Sequence, residues 1–168
     1  MMKKFLLILF LCSSTLIVQA QERFSSIDDL MEVLYASISG SAGEARDSSL
    51  ITSIFLPEAK LMPIARNKEG KVIAKVLSVE QYISRLVKYT LNEGFFEREI
   101  HRETQRYGNI AQVFSTYASY KNKEDKAPYQ RGINSLQLMF DGHRWWVMNI
   151  TWDAESTGNP IPKQYLKK

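Results

Sequence analysis

Glu97, Glu99 and His101 are the residues whose types and spacing best suit chemistry. They recur at every second position of a strand-like run, Phe95 to Arg106, so period two sets all three on one sheet face with Phe95. Two carboxylates beside an imidazole suit acid/base work. If that face lines an apolar cavity, burial raises a carboxyl pKa toward neutrality, where it can both accept and donate a proton. Arg98 and Arg102 fall on the opposite face. The same run also suits a solvated surface, with the arginines paired to acids elsewhere.

A second polar set opens a later run. Arg131, Ser135 and Gln137 share one face and Asn134 takes the other. Polar groups in mid-sheet need partners, so Arg131, Asn134 and Gln137 either fix a ligand or pair across strands with Gln112, Ser115 or Thr116. Tyr35 and Tyr82 add hydroxyls, although both lie on apolar helix stripes, where packing is the simpler role. No phosphate-cradling Gly-rich loop, nucleophile elbow or paired-histidine metal motif is present, and the chain has only two histidines and one cysteine. Neither a cofactor nor a metal is therefore expected.

The elements that position these groups follow from periodicity. Ser26 caps a helix with Asp29 three residues on, and Ile27, Leu30, Met31, Leu34, Tyr35 and Ile38 follow at 3.6 spacing until Gly40 and Gly43. A short helix carries Leu50, Ile51, Ile54 and Phe55, stopped by Pro57. Lys60 to Ala65 and Lys71 to Leu77 form a hairpin, whose first strand Pro63 assigns to a sheet edge. Ser78 and Gln81 box the start of a third helix, whose stripe runs from Val79 to Leu91 and stops before Gly94.

Thereafter the period is two, through Phe95 to Arg106, Asn109 to Tyr120, Arg131 to Phe140 and Arg144 to Trp152. Tyr107-Gly108 and Asp141-Gly142 mark tight turns. The tail, about 154–168, reads as extended. Helices early and strands late imply an α+β fold, with helices packed on one face of a curved antiparallel sheet. In the last strand, Trp146, Met148, Ile150 and Trp152 share one face; Trp145, Val147, Asn149 and Thr151 share the other. Apolar groups on both faces need cover on both, and a partner subunit is the simplest cover for the second. A homodimer with Trp145 or Trp146 at its centre is the expectation.

The N-terminus sets the compartment. Lys3 and Lys4 precede an apolar run, Phe5 to Val18, and Val18-Gln19-Ala20 fits signal-peptide cleavage. Residues 1–20 then leave with Cys12, and residues 21–168 form one exported domain, periplasmic or secreted, with no membrane attachment after cleavage. The formal net charge of +4 falls to +2 once both lysines are lost. No Lys/Arg cluster gives the footprint of a nucleic-acid partner.

Three short segments carry a resemblance. Phe55-Leu56-Pro57-Glu58-Ala59-Lys60-Leu61 resembles the helix-to-strand junction of SnoaL-like proteins in the nuclear transport factor 2-like superfamily. Tyr107-Gly108-Asn109-Ile110-Ala111 resembles their third-to-fourth strand turn, and Asp141-Gly142 with Trp145-Trp146-Val147 their final hairpin. The likeness covers residues 26–153. It implies a cone-shaped fold enclosing an apolar pocket, and pairing of subunits through the outer sheet face. It does not imply one function, because the superfamily spans isomerases, dehydratases, hydrolases, cyclases and non-catalytic modules. Some SnoaL-like cyclases place an acid at the cone mouth, where Asp153 would stand; Asp153 also suits a turn residue that opens the tail. No complete catalytic set of the superfamily matches. Three readings remain open: binding of a small apolar or aromatic-containing molecule, cofactor-free acid/base catalysis using Glu97, Glu99, His101 or Asp153, and a structural dimer that only supports another exported protein.

Overall fold

The structure, a computed structural model, describes residues 24–166. The expected export signal and its cleavage site lie outside the described residues. The element order is α1 (Ile27–Ile38), α2 (Ser48–Ile54), β1 (Phe55–Arg66), β2 (Val72–Ala74), β3 (Leu77–Ser78) and α3 (Val79–Thr90). Then come β4 (Phe96–Tyr107), β5 (Ile110–Tyr120), β6 (Gln130–Phe140), β7 (Trp145–Ala154) and a 3-10 turn at Lys163–Tyr165.

Local signals fix the helix starts. Ser26 and Asp29 form a reciprocal capping box on α1, and Ser78 and Gln81 form one on α3. Asp47 caps α2 by accepting from Leu50 N at 2.9 Å. The α2 helix ends at Ile54, one residue before the sequence pattern places its last apolar position. Pro57 disfavours helical backbone at Leu56, and Phe55 already pairs with Val147.

The strands form one open sheet in the order β2-β1-β7-β6-β5-β4, with β3 also on β1. The β4 to β7 meander is antiparallel throughout. Gly108, at φ +55°, takes the first loop position between β4 and β5, as a type II′ turn requires. The sheet is mixed, because β1 runs parallel to β7. Nor is β1 an edge: β2 and β3 flank it on the other side. Pro63 is tolerated there because its carbonyl still accepts, from Lys75 N at 3.0 Å.

Two bulges change which residues face the helices. In β4, Glu99 pairs with Tyr117 and His101 with Thr116, so Ile100 has no partner. In β7, Val147 pairs with Leu138 and Asn149 with Gln137, so Met148 has none. An extra residue reverses the alternation beyond it. Trp145 and Val147 therefore share the inner face with Ile150 and Trp152. Trp146 stays outside, which corrects the grouping of Trp146 with Ile150 and Trp152.

The inner face packs on the helices. Leu30, Met31 and Leu34 of α1, Ile51 and Ile54 of α2, and Ile83 and Leu86 of α3 meet Val113, Leu136, Leu138, Trp145 and Val147. Part of the outer face is covered by the chain itself, where the sequence suggested a partner subunit. Thr116 Oγ1 donates to the Tyr165 carbonyl at 2.6 Å, and the Phe114 and Tyr165 rings meet at 5.0 Å. Ile161 is buried, and Arg131 pairs with Glu155 at 2.8 Å. The tail is thus a docked strap with one 3-10 turn.

Candidate functional site

Between the helices and the inner sheet face lies a cavity of about 250 Å³. Its volume falls just below the ~300–1,000 Å³ usual for ligand pockets. The buried wall includes Leu34 and Ile38 of α1, Leu61 of β1 and Ile150 of β7. Aromatic rings supply much of the rest: Tyr35, Tyr82, Tyr89, Phe95, Tyr117 and Trp152. The mouth lies by α3, where the lining residues Arg85 and Tyr89 are exposed.

Only two charged residues line this space, Glu97 and Arg85, and they form no ion pair with each other among the described residues. Glu97 projects from β4 beside Ser119, whose hydroxyl donates to Glu97 Oε2 at 2.8 Å. Ser39 Oγ accepts from the Glu97 amide at 2.9 Å, which anchors β4 to the end of α1. Burial pushes the Glu97 carboxyl up to about 7; hydrogen bonding from Ser119 and Asn134 opposes the shift without cancelling it.

A polar relay supports the wall. Asn134 Nδ2 donates to the Tyr35 hydroxyl at 3.1 Å, and that hydroxyl meets Ser115 Oγ at 2.7 Å. Ser115 in turn donates to Glu99. Glu99 is clamped by Arg102, whose guanidinium also reaches Asp28. Burial raises the hydroxyl pKa values of Tyr35, Tyr82 and Tyr117, so all three stay neutral near pH 7. Tyr117 depends on Gly132, because a Cβ there would collide with its hydroxyl and with the Asp153 carbonyl.

The structure brings together Glu97, Tyr35, Tyr82 and Asn134 from the sequence-derived candidates. It separates the others. Glu99 shares the inner face with Glu97, but Arg102 and Ser115 occupy it. His101 does not join them, because the bulge at Ile100 turns it to the outer face. There it pairs with Thr116, and its Nε2 lies 3.9 Å from Glu103. The same bulge carries Arg102 inward, against the expectation that it lies opposite Glu99. Arg131 and Gln137 are also on the outer face, Arg131 engaged by Glu155. Asp153 is exposed on that face, accepts from Asn159 at 3.3 Å and lines a separate space of about 350 Å³ under the tail.

Trp145 is only 2% exposed in the core. Trp146, outside, donates to Asp141 at 2.6 Å and stacks under Arg144, 3.7 Å from the ring centre. Sequence reasoning missed Arg85, Tyr89 and Tyr117 as lining residues. For Tyr117 a signal existed: it alternates with Ser115 and Ser119 on one face of β5.

No family model matches this chain, and no curated protein sequence does. Solved structures do match in fold. A nuclear transport factor 2-like protein of unknown function from Silicibacter pomeroyi aligns at TM-score 0.52 and 15% identity, over 77% of this chain and 92% of that one. A candidate β subunit of an aromatic-ring-hydroxylating dioxygenase from Novosphingobium aromaticivorans gives 0.57 and 15%, over 88% and 97%. A candidate ketosteroid isomerase from Parabacteroides distasonis gives 0.52 and 10%, over 80% and 97%. The fold is therefore that of the nuclear transport factor 2-like proteins. The differing roles of these neighbours leave the function of this chain to its own cavity.

Proposed function

We propose that this protein binds a small, predominantly apolar molecule in the inner cavity, with Glu97 as the polar anchor. The observation that carries the reading is one buried carboxyl set in a wall of hydrocarbon and aromatic rings. Such a wall favours an apolar body by removing it from water, and a single convergent polar group orients it. We further propose that binding takes place outside the cytoplasm, on the evidence of the N-terminal leader pattern.

The test is to fill the cavity. Ile150→Trp and Leu61→Trp should abolish binding of small aromatic probes by calorimetry, with the fold retained by circular dichroism. Unchanged binding in both folded variants would place the ligand elsewhere. For export, intact mass of envelope or secreted material should show a chain beginning at Gln21; a product retaining residues 1–20 would refute the leader.

A second reading, cofactor-free acid/base catalysis, is favoured by one observation: burial holds the Glu97 carboxyl at about 7, the range suited to proton transfer near neutrality. On that reading Glu97→Gln abolishes turnover while the ligand still binds. Equal turnover in the variant would exclude it.

A further inference from the structure

Glu97 is a half-buried acid that opens on the cavity and pairs with no cation among the described residues. Its nearest polar partner is a neutral hydroxyl, Ser119. The basic groups nearby are committed elsewhere or stand apart: Arg102 is taken by Glu99 and Asp28, and Lys121 by Glu93 and the Tyr89 hydroxyl. Arg85 lies at the mouth and makes no ion pair among the described residues.

A neutral apolar ligand would leave this arrangement worse off. It would exclude water from Glu97 and give its charge nothing in return. A cation reverses the balance, because an ion pair gains strength where water is excluded. The aromatic wall adds to this. Ring faces carry negative potential and attract organic cations, most strongly when desolvated. Tyr82 and Trp152 meet edge-to-face at 6.1 Å, and Tyr89 and Phe95 do so at 6.2 Å. The rings of each pair are thus turned nearly perpendicular.

We propose that the cavity is a site for a small organic cation, a protonated amine or a quaternary ammonium, with its charged head against Glu97 and its hydrocarbon along Leu34, Ile38 and Ile150. The proposal rests on the reading of this cavity as a ligand site and names the class of ligand. It also accounts for a carboxyl kept in so apolar a wall.

Four probes that share a phenylethyl body decide it by calorimetry at pH 8: 2-phenylethylammonium, its N-trimethyl analogue, 2-phenylethanol and 3-phenylpropanoate. At least one cation should bind tenfold or more tighter than the alcohol, and the better cation tells a primary amine site from a quaternary one. Glu97→Gln should remove most of that preference. In the wild type, lowering the pH to 5.5 should weaken the cation about tenfold or more and leave the alcohol bound at least as tightly, because protonating Glu97 removes a charge that the cation needs and the alcohol leaves unpaired. The groups facing Glu97 do not confuse this window. Tyr35, Tyr82 and Tyr117 stay neutral, Asn134 and Ser119 do not titrate, and Glu99 is turned to Arg102. The wild-type pH comparison needs no variant to fold. Alcohol or phenylpropanoate binding as tightly as both cations would overturn the cation assignment and leave the cavity as a ligand site. Failure of all four to bind would overturn both.

Discussion

Glu97 and Glu99 stand two residues apart on one face of β4 and meet opposite surroundings. Glu97 has a serine hydroxyl and an apolar cavity, and burial pushes its carboxyl up to about 7. Glu99 has an arginine fork on both oxygens, a serine hydroxyl and, through Arg102, a link to Asp28. Residue type, strand and face are the same. The difference comes from α1 and from the neighbouring positions of β4 and β5, which give Glu99 its partners and leave Glu97 facing the cavity. A carboxyl's role is thus set by what other elements bring to it.

The largest expected effect removes the unpaired charge. The folded pKa of Glu97 is raised above its ordinary value of 4.5, so the fold favours the protonated form. Stability from this group is full below about pH 4.5 and is lost as pH rises through about 7. The loss at pH 8 is about 3 kcal/mol at most, because part of the Glu97 surface opens to the cavity. Glu97→Gln should therefore match the wild type at pH 4.5 and exceed it in urea melts at pH 8. A variant less stable at both pH values would show that Glu97 has a cation partner after all.

Breaking the other carboxyl's pair should act in the opposite direction. Arg102→Met leaves Glu99 and Asp28 without their cation, at a cost of roughly 2 kcal/mol, less than for a fully buried pair because both side chains keep some exposure. Adding Glu99→Gln should recover part of that loss. No recovery in the double variant would break the contrast between the two acids. The smallest effect is expected at His101, which the bulge takes out of the comparison. His101→Gln should change stability by about 0.5 kcal/mol or less and leave probe affinity unaltered. A changed affinity would mean that His101 reaches the cavity.

Much of this was legible in the sequence. Both capping boxes, the four long strands, the Gly108 turn and most of the three helix stripes follow from local chemistry and periodicity and hold in the fold; Val87 and Leu91, at the end of the third stripe, are exposed. Glu97, Asn134, Tyr35 and Tyr82 were visible as candidate polar groups, with a solvated face the alternative for Glu97 and helix packing the simpler role for the tyrosines. Two bulges were not legible, because a period-two reading has no marker for an extra residue. The bulge at Ile100 exchanged His101 for Arg102 on the inner face. The bulge at Met148 returned Ile150 and Trp152 to the side of Trp145, so the apparent apolarity of both faces of β7 came partly from a shift in phase. The parallel pairing of β1 with β7, and the seat of the tail on Phe114 and Thr116, depend on contacts between distant segments that local patterns do not encode.

The most direct measurement is the titration of the Glu97 side-chain carboxyl by carbon-detected NMR in the unliganded protein, assigned with Glu97→Gln. The expected midpoint is about 7, and addition of 2-phenylethylammonium should move the Glu97 midpoint downward. A midpoint at the ordinary 4.5 or below in the free protein would contradict the account, because it would mean that Glu97 is either hydrated or already paired.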